Sequence, residues 1–241
     1  GVITGTGNFL DIGTGTVVLN GNNTFTGTVT VNPQATLSVP VIATSGAQPL
    51  GQGSTPITLR GQLSNFGTLL YSGAGAGETD RGITLDGGSG GKVTVSQASG
   101  VLTVNGALTG NFDFRKDGPG TLMLTGSEDW NANGYVQAGT LVLGSTTSGS
   151  PGSNSLIGGN WEVSPGATLR INTTGTLEAS TVTKTGTFHL ESGELKTNTL
   201  AGAGAMTWGD ATIRPLSELN QGVVDRTGDG FGSGGAASGP T

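Results

Sequence analysis

The chain has 241 residues, 33% of them hydrophobic and only 11% charged, with 47 glycines and a formal net charge of −6 at pH 7. With no cysteine it has no disulfides, thiolate metal sites or cysteine nucleophile. Its ten basic residues are scattered, with Arg115 and Lys116 the one adjacent pair, so it lacks the cationic patch that a nucleic-acid partner requires.

Other classes fall away on pattern. No apolar run approaches the roughly 20 residues of a membrane-spanning helix. Disordered chains trade hydrophobicity for charge, whereas here Gly, Thr, Ser and Asn fill the gap, a mixture suited to turns and solvated β faces. No Gly-free window carries apolar residues at helical spacing, so almost no helix is expected. An aromatic content of 5% is thin for a β-sandwich core, while a solenoid needs only a narrow apolar column. The start at Gly1-Val2-Ile3, without methionine or leader, reads as a piece of a longer mature protein.

In chain order, the first predicted unit is GTGTVVLNGNNTFTGTVTVNPQATLSV, residues 13–39, and a second copy is GPGTLMLTGSEDWNANGYVQAGTLVL, residues 118–143. At an offset of 105, Gly13, Gly15, Thr16, Leu19, Gly21 and Val31 meet identical residues, Phe25 meets Trp130, and after a one-residue deletion Thr36-Leu37 meets Thr140-Leu141. A shorter cassette recurs as Asn65–Tyr71, Ala98–Val104, Val163–Ile171 and His189–Thr197. Cassette starts at Thr36, Thr68, Val101, Thr140, Thr168 and Glu194 give spacings of 32, 33, 39, 28 and 26 residues.

Within each cassette apolar and polar residues alternate after a Gly or Pro-Gly corner, the pattern of a short strand with one buried face. Strands of three to five residues with no helix between them cannot build a doubly wound sheet. They fit a right-handed parallel β-helix, a single-stranded repeat column in which each strand bonds to its equivalent one turn away. About eight to ten rungs, roughly 40–45 Å of column at about 4.8 Å per strand, follow from that period. The expected organisation is one β-helical domain over residues 1–220, with the strongest repeats at 13–39 and 81–144, and a Gly/Ser-rich tail over 221–241.

The segment KDGPGTLMLTGSEDWNANGYVQAGTLVLG, Lys116–Gly144, resembles the autotransporter-associated β-strand repeat, with its Lys-x-Gly-x-Gly-Thr-Leu start and Gly-Thr-Leu-x-Leu end. Residues 13–39 resemble the same repeat with a weaker start, and Arg81–Gly110 is similar to the spacer that often precedes it. The chain departs from the pattern at Asp117-Gly118-Pro119 and at Ser127-Glu128-Asp129, which touches turn detail rather than fold. The resemblance implies an autotransporter passenger, a β-helix outside the bacterial outer membrane, with no catalytic residues to carry over.

His189, the one histidine, lies in strand-like alternation and reads as a solvent-facing strand residue rather than part of a triad or zinc site. Glu78, Asp80 and Arg81 read as a Gly-rich turn, Glu128 and Asp129 as another, and Glu191 and Glu194 as flanking a Ser-Gly corner, so none forms an expected glycosidase pair. Asp225 and Asp229 lack the alternate ligands and terminal Glu of a calcium loop. Phe25, Trp130, Trp161 and Trp208 are expected to pack the column rather than stack on sugars.

The sequence therefore describes a non-enzymatic extracellular scaffold with no catalytic, cofactor or metal residues. Its expected partners are surface or matrix molecules or like chains, including homo-oligomers or fibres. A polysaccharide lyase or hydrolase on the same column, and a filament or surface-layer subunit, are the rival readings.

Overall fold

The structure is a computed structural model that describes residues 1–126, 128–130, 132–144, 155–157 and 159–214. Every element among the described residues is a strand or turn, with no helix. The strands form a parallel β-solenoid of about nine turns.

Three ladders run along the solenoid. The first joins Phe9–Asp11 to Val29–Val31, Ile57–Gln62, Ile83–Asp86, Leu108–Gly110 and Glu128–Trp130. The second joins Thr16–Val18 to Thr36–Val39, Asn65–Tyr71, Gly91–Val95, Phe114–Asp117, Gly134–Val136 and Asn160–Val163. The third starts at Ala76–Thr79 and continues through Val101–Val104, Thr121–Leu124, Thr140–Leu143 and the start of Thr168–Lys184. Alternate residues of each strand point inward. The register Leu37–Leu69–Val93, the register Val31–Leu59–Leu85 and the register Leu102–Leu122–Leu141–Leu169 make the core, and all these side chains are buried.

The ladders correct the spacing read from the cassettes. Thr36 to Thr68 and Thr140 to Thr168 are single turns, but Val101 and Thr140 are two turns apart with Thr121 between them. Thr68 and Val101 lie on different ladders, as do Thr168 and Glu194, because Thr168 pairs with Thr187 while Glu194 pairs with Thr176. Steps along the first ladder are 20, 28, 26, 25 and 20 residues. One Gly-Thr-Leu cassette can serve any side of the solenoid, so counting cassettes does not count turns.

The two long copies illustrate this. In the first copy Thr16–Val18 stacks directly on Thr36–Val39, and in the second Thr121–Leu124 stacks on Thr140–Leu143. The beginning and end of each copy thus sit one turn apart, and the two copies occupy different ladders. Their one-residue length difference falls at the corner before the last strand. There Gln34 takes φ 69 in the first copy and Gly139 takes φ 62 in the second, where a Gly139 Cβ would meet the carbonyl oxygens of Gly118 and Gly120 at 2.4 Å.

Two further departures stand out. The late strands are longer than expected: Thr168–Lys184 spans 17 residues and Thr187–Ala201 spans 15, so pairing runs on through the corners, with register shifts near Asn172. Between Gly61 and Phe66 the chain forms an antiparallel hairpin whose tip residues, Leu63 and Ser64, have φ of 50 and 66. Leu63 is 85% exposed there.

Leu122 is flanked by a turn on either side, so Leu122→Ala should destabilise by about 2–4 kcal/mol, whereas Thr103→Ala on the outer side should stay within about 0.5 kcal/mol. Hydrogen exchange checks this: protection should fall in Val101–Val104, Thr121–Leu124 and Thr140–Leu143 and persist near Val29–Val31.

Candidate functional site

Among the described residues three buried cations lie inside this solenoid, Lys116, Lys184 and Arg81, and each is held by backbone carbonyls. Lys116 follows Phe114 at the inward spacing of its strand and is fully buried; its Nζ donates to the carbonyls of Asp117, Gly118 and Ala138 at 2.8–2.9 Å. Lys184, inward after Val182, donates to the carbonyls of Gly202 and Gly204, both at 2.9 Å. Arg81 is 4% exposed and donates from Nε to Thr55 O at 2.7 Å and from Nη1 to Leu50 O at 2.9 Å. Both lysines occur as Lys-x-Gly before a strand, Lys116-Asp117-Gly118 and Lys184-Thr185-Gly186.

The lysine of the repeat's start thus has a role that sequence reasoning left unassigned. It replaces an apolar core residue and turns its ammonium into a corner, where it donates to backbone carbonyls. The signal was present, since a lysine two residues after an inward Phe or Val falls on the inward face.

Arg81 is among the residues that border a cavity of about 390 Å³. Its wall comes from the 40–56 connection and from Thr79-Asp80-Arg81, and the exposed side chains of Thr44, Ser45, Gln52 and Ser54 form its rim. Gln48 braces the connection, accepting from Ala43 N at 2.9 Å and donating to Ala43 O at 2.6 Å. Arg81 Nη2 is buried and has no hydrogen-bond partner among the described residues. Burial pushes the guanidinium down to about 10, which still leaves it charged at neutral pH.

Asp80 belongs to this region and sits in a bend, as expected, but Glu78 lies in the preceding strand Ala76–Thr79 rather than in a turn. Asn105 Nδ2 donates to Glu78 Oε1 at 2.7 Å and to Asp80 Oδ1 at 2.9 Å, and Thr125 Oγ1 donates to Asn105 Oδ1 at 2.8 Å. The two carboxylates are therefore brought together by a structural amide, while Arg81 turns inward away from them.

Of the remaining candidates, Glu191, Glu194 and His189 are taken up by contacts between turns. Glu128 and Asp129 lie in a strand, Glu128–Trp130, rather than in a turn. Ser192-Gly193 lies inside a continuous strand, so Glu191 and Glu194 do not flank a solvated corner. Glu191 pairs with Arg170, and Glu194 Oε1 lies 3.0 Å from Arg214 Nε. His189 sits half-buried in register with Arg170 and Thr207, its Nδ1 hydrogen-bonded to Thr207 Oγ1. Asp225, Asp229 and the 221–241 tail lie outside the described residues.

The aromatics pack the column. Phe25, Trp130 and Trp161 are buried, and Trp130 meets Phe114 and Trp161 edge-on at 6.2 and 5.5 Å between ring centroids. Trp208 packs partly buried against the core. Space for the rings comes from glycines one turn away, since a Cβ on Gly134 would stand 2.6 Å from the Trp161 ring and one on Gly51 2.9 Å from Phe25. On the outer face Arg115 is sandwiched between Phe66 and Tyr135, its Cζ 4.5 and 3.9 Å from their ring centroids. Among the described residues no three His, Asp or Glu side chains converge in a metal-binding group.

The pH dependence of stability tests the buried lysine. Burial pushes Lys116 down to about 8, against about 10.5 in the unfolded chain, with Asp117 partly opposing the shift. Between these values the unfolded state binds more protons, so unfolding free energy should rise with pH from about 8 to 10.5. Lys116→Met should remove that slope and cost about 1–3 kcal/mol at pH 7 by stranding three carbonyls; urea unfolding at several pH values measures both.

Residues 12–39 and 114–143 match the Passenger-associated-transport-repeat family. Over 135 residues, 56% of this chain, the sequence is 36% identical to the Adhesin BmaC autotransporter of Brucella suis biovar 1 (strain 1330). The chain spans 4% of the length of that curated relative. No solved structure matches it.

Proposed function

Because the chain is autotransporter passenger sequence built with passenger-associated-transport-repeats, we propose that it works as a non-enzymatic stalk that holds adhesive surfaces away from the cell. Passenger sequence of this kind is located at the cell surface, associated with the outer membrane. The described residues contain no helix, and so none long and apolar enough to cross a membrane.

The observation that carries this reading is the stacking of each repeat on itself. Thr16–Val18 lies on Thr36–Val39 and Thr121–Leu124 on Thr140–Leu143, so one repeat adds one turn, about 4.8 Å of height. A unit whose ends superpose along an axis serves extension. The outer side chains support the same reading, because many are engaged with their neighbours in the next turn. Threonines 30, 58, 84 and 109 follow one another in register, with Thr84 Oγ1 and Thr109 Oγ1 3.1 Å apart.

Surface or matrix molecules are the proposed partners, in keeping with a relative named an adhesin. The chain has no proposed catalytic, cofactor or metal residues.

Excising residues 121–139 would join Gly120 to Thr140 and let Thr140–Leu143 stack on Val101–Val104. For a stalk, this deletion should leave an all-β circular dichroism spectrum, and beads coated with either chain should adhere to matrix-coated surfaces. Cleavage of a uronic-acid polymer by the purified chain, or the absence of adhesion by the intact chain, would overturn the reading. Fibres in concentrated solution would favour a filament subunit instead.

A further inference from the structure

Of the eight large apolar side chains exposed among the described residues, six lie in the first turn: Val2, Ile3, Leu10, Ile12, Val17 and Val18. The two strands there, Phe9–Asp11 and Thr16–Val18, pair along one edge only among the described residues, with Val29–Val31 and Thr36–Val39. Their inward side chains are incompletely covered for the same reason. Val17 is 37% exposed and Phe9 is half-buried, whereas Val29 and Leu37, their partners one turn on, are fully buried. The first turn is therefore an open section of the apolar core, edged by backbone groups that no described strand satisfies.

Solvent-facing edges usually carry a lysine, a proline or a bulge that blocks further pairing. These two strands carry none of them. Asp11 is the one charged side chain in residues 1–59, and it is buried, in register with the inward Val31. The opposite end differs, because its last described strand, Met206–Arg214, ends in Arg214, which pairs with Glu194, and Lys196 bridges Glu178 and Glu194. Apart from Asp11 the charged residues begin at Arg60, so two chains of net charge −6 repel least where their first turns meet.

Two strands around one corner also set how a second copy fits. A two-fold axis through the corner between Phe9–Asp11 and Thr16–Val18, perpendicular to the column, reverses the sense of the chain and lays each strand antiparallel on the copy of the other. Both edges are then completed at once, inward residues meet inward residues, and the outward Leu10 of one chain faces the outward Val18 of the other. Such a face closes on itself and leaves no edge for growth at that end.

We propose that two copies of this chain pair end to end through their first turns, as a two-fold dimer with one solenoid running out on each side. The inference is independent of the adhesive role, since it concerns only the uncharged, self-complementary end of the column.

Analytical ultracentrifugation of the 241-residue chain over a range of concentrations tests this. A monomer–dimer equilibrium is expected, with no larger species. Leu10 and Val18 are 54% and 58% exposed, so charges there need no repacking of the core. Leu10→Lys with Val18→Lys sets like charges across the face and should raise the dissociation constant by about tenfold or more, with unchanged circular dichroism. Leu10→Lys with Val18→Asp sets opposite charges across it and should dimerise more tightly than the double-lysine chain. Leu63→Lys, two turns away at the hairpin tip, should leave dimerisation unchanged. A chain that stays monomeric, dimers undiminished by the two lysines, no recovery in the lysine–aspartate chain, equal loss in Leu63→Lys, or open-ended fibres built head to tail would each overturn the proposal.

Discussion

The parallel pairing of each strand with its counterpart one turn away is the constraint on which the rest of the structure depends. Backbone hydrogen bonds run along the axis, so an interior strand is completed on both edges and each turn needs only a few inward side chains. This is how a chain with 33% hydrophobic residues still builds a continuous core. Register follows from the alternation: a slip of one residue would turn Leu69, Val93 and their stacked partners outward and bring threonines in.

Corners are the weak points of such a column, because carbonyls there leave the ladders and some are buried. The chain answers with lysines. Lys116 and Lys184 occupy one inward register, Lys116–Val136–Val163–Lys184, so a methylene stem substitutes for a core valine while the ammonium collects stray carbonyls. Aromatic rings pose the opposite problem, too much volume, and glycines in the adjacent turn make room for them. The Lys-x-Gly element of the repeat is thus a packing and hydrogen-bonding device rather than a surface charge.

Ion pairs such as Arg60–Asp86, with Nε 2.8 Å from Oδ2, join one turn to the next. They are exposed and contribute little individually. The 40–56 connection lines a cavity that Thr79, Asp80 and Arg81 also border, and Arg81 is buried there.

The amino-acid sequence alone determined the solenoid: glycine corners, two-residue alternation and the matching copies at 13–39 and 118–143 admit few other folds, because short strands without helices can be completed only by stacking. It also indicated the core roles of Phe25 and Trp130, since equivalent repeat positions share an environment. Tertiary structure decided which cassette stacks on which, because identical cassettes fit any ladder and the intervening connections set the phase. It also decided the fate of the charges. Arg81 looked like a turn residue beside Asp80, and nothing local marks that its side chain crosses to the carbonyls of Leu50 and Thr55, which lie 31 and 26 residues earlier in the chain.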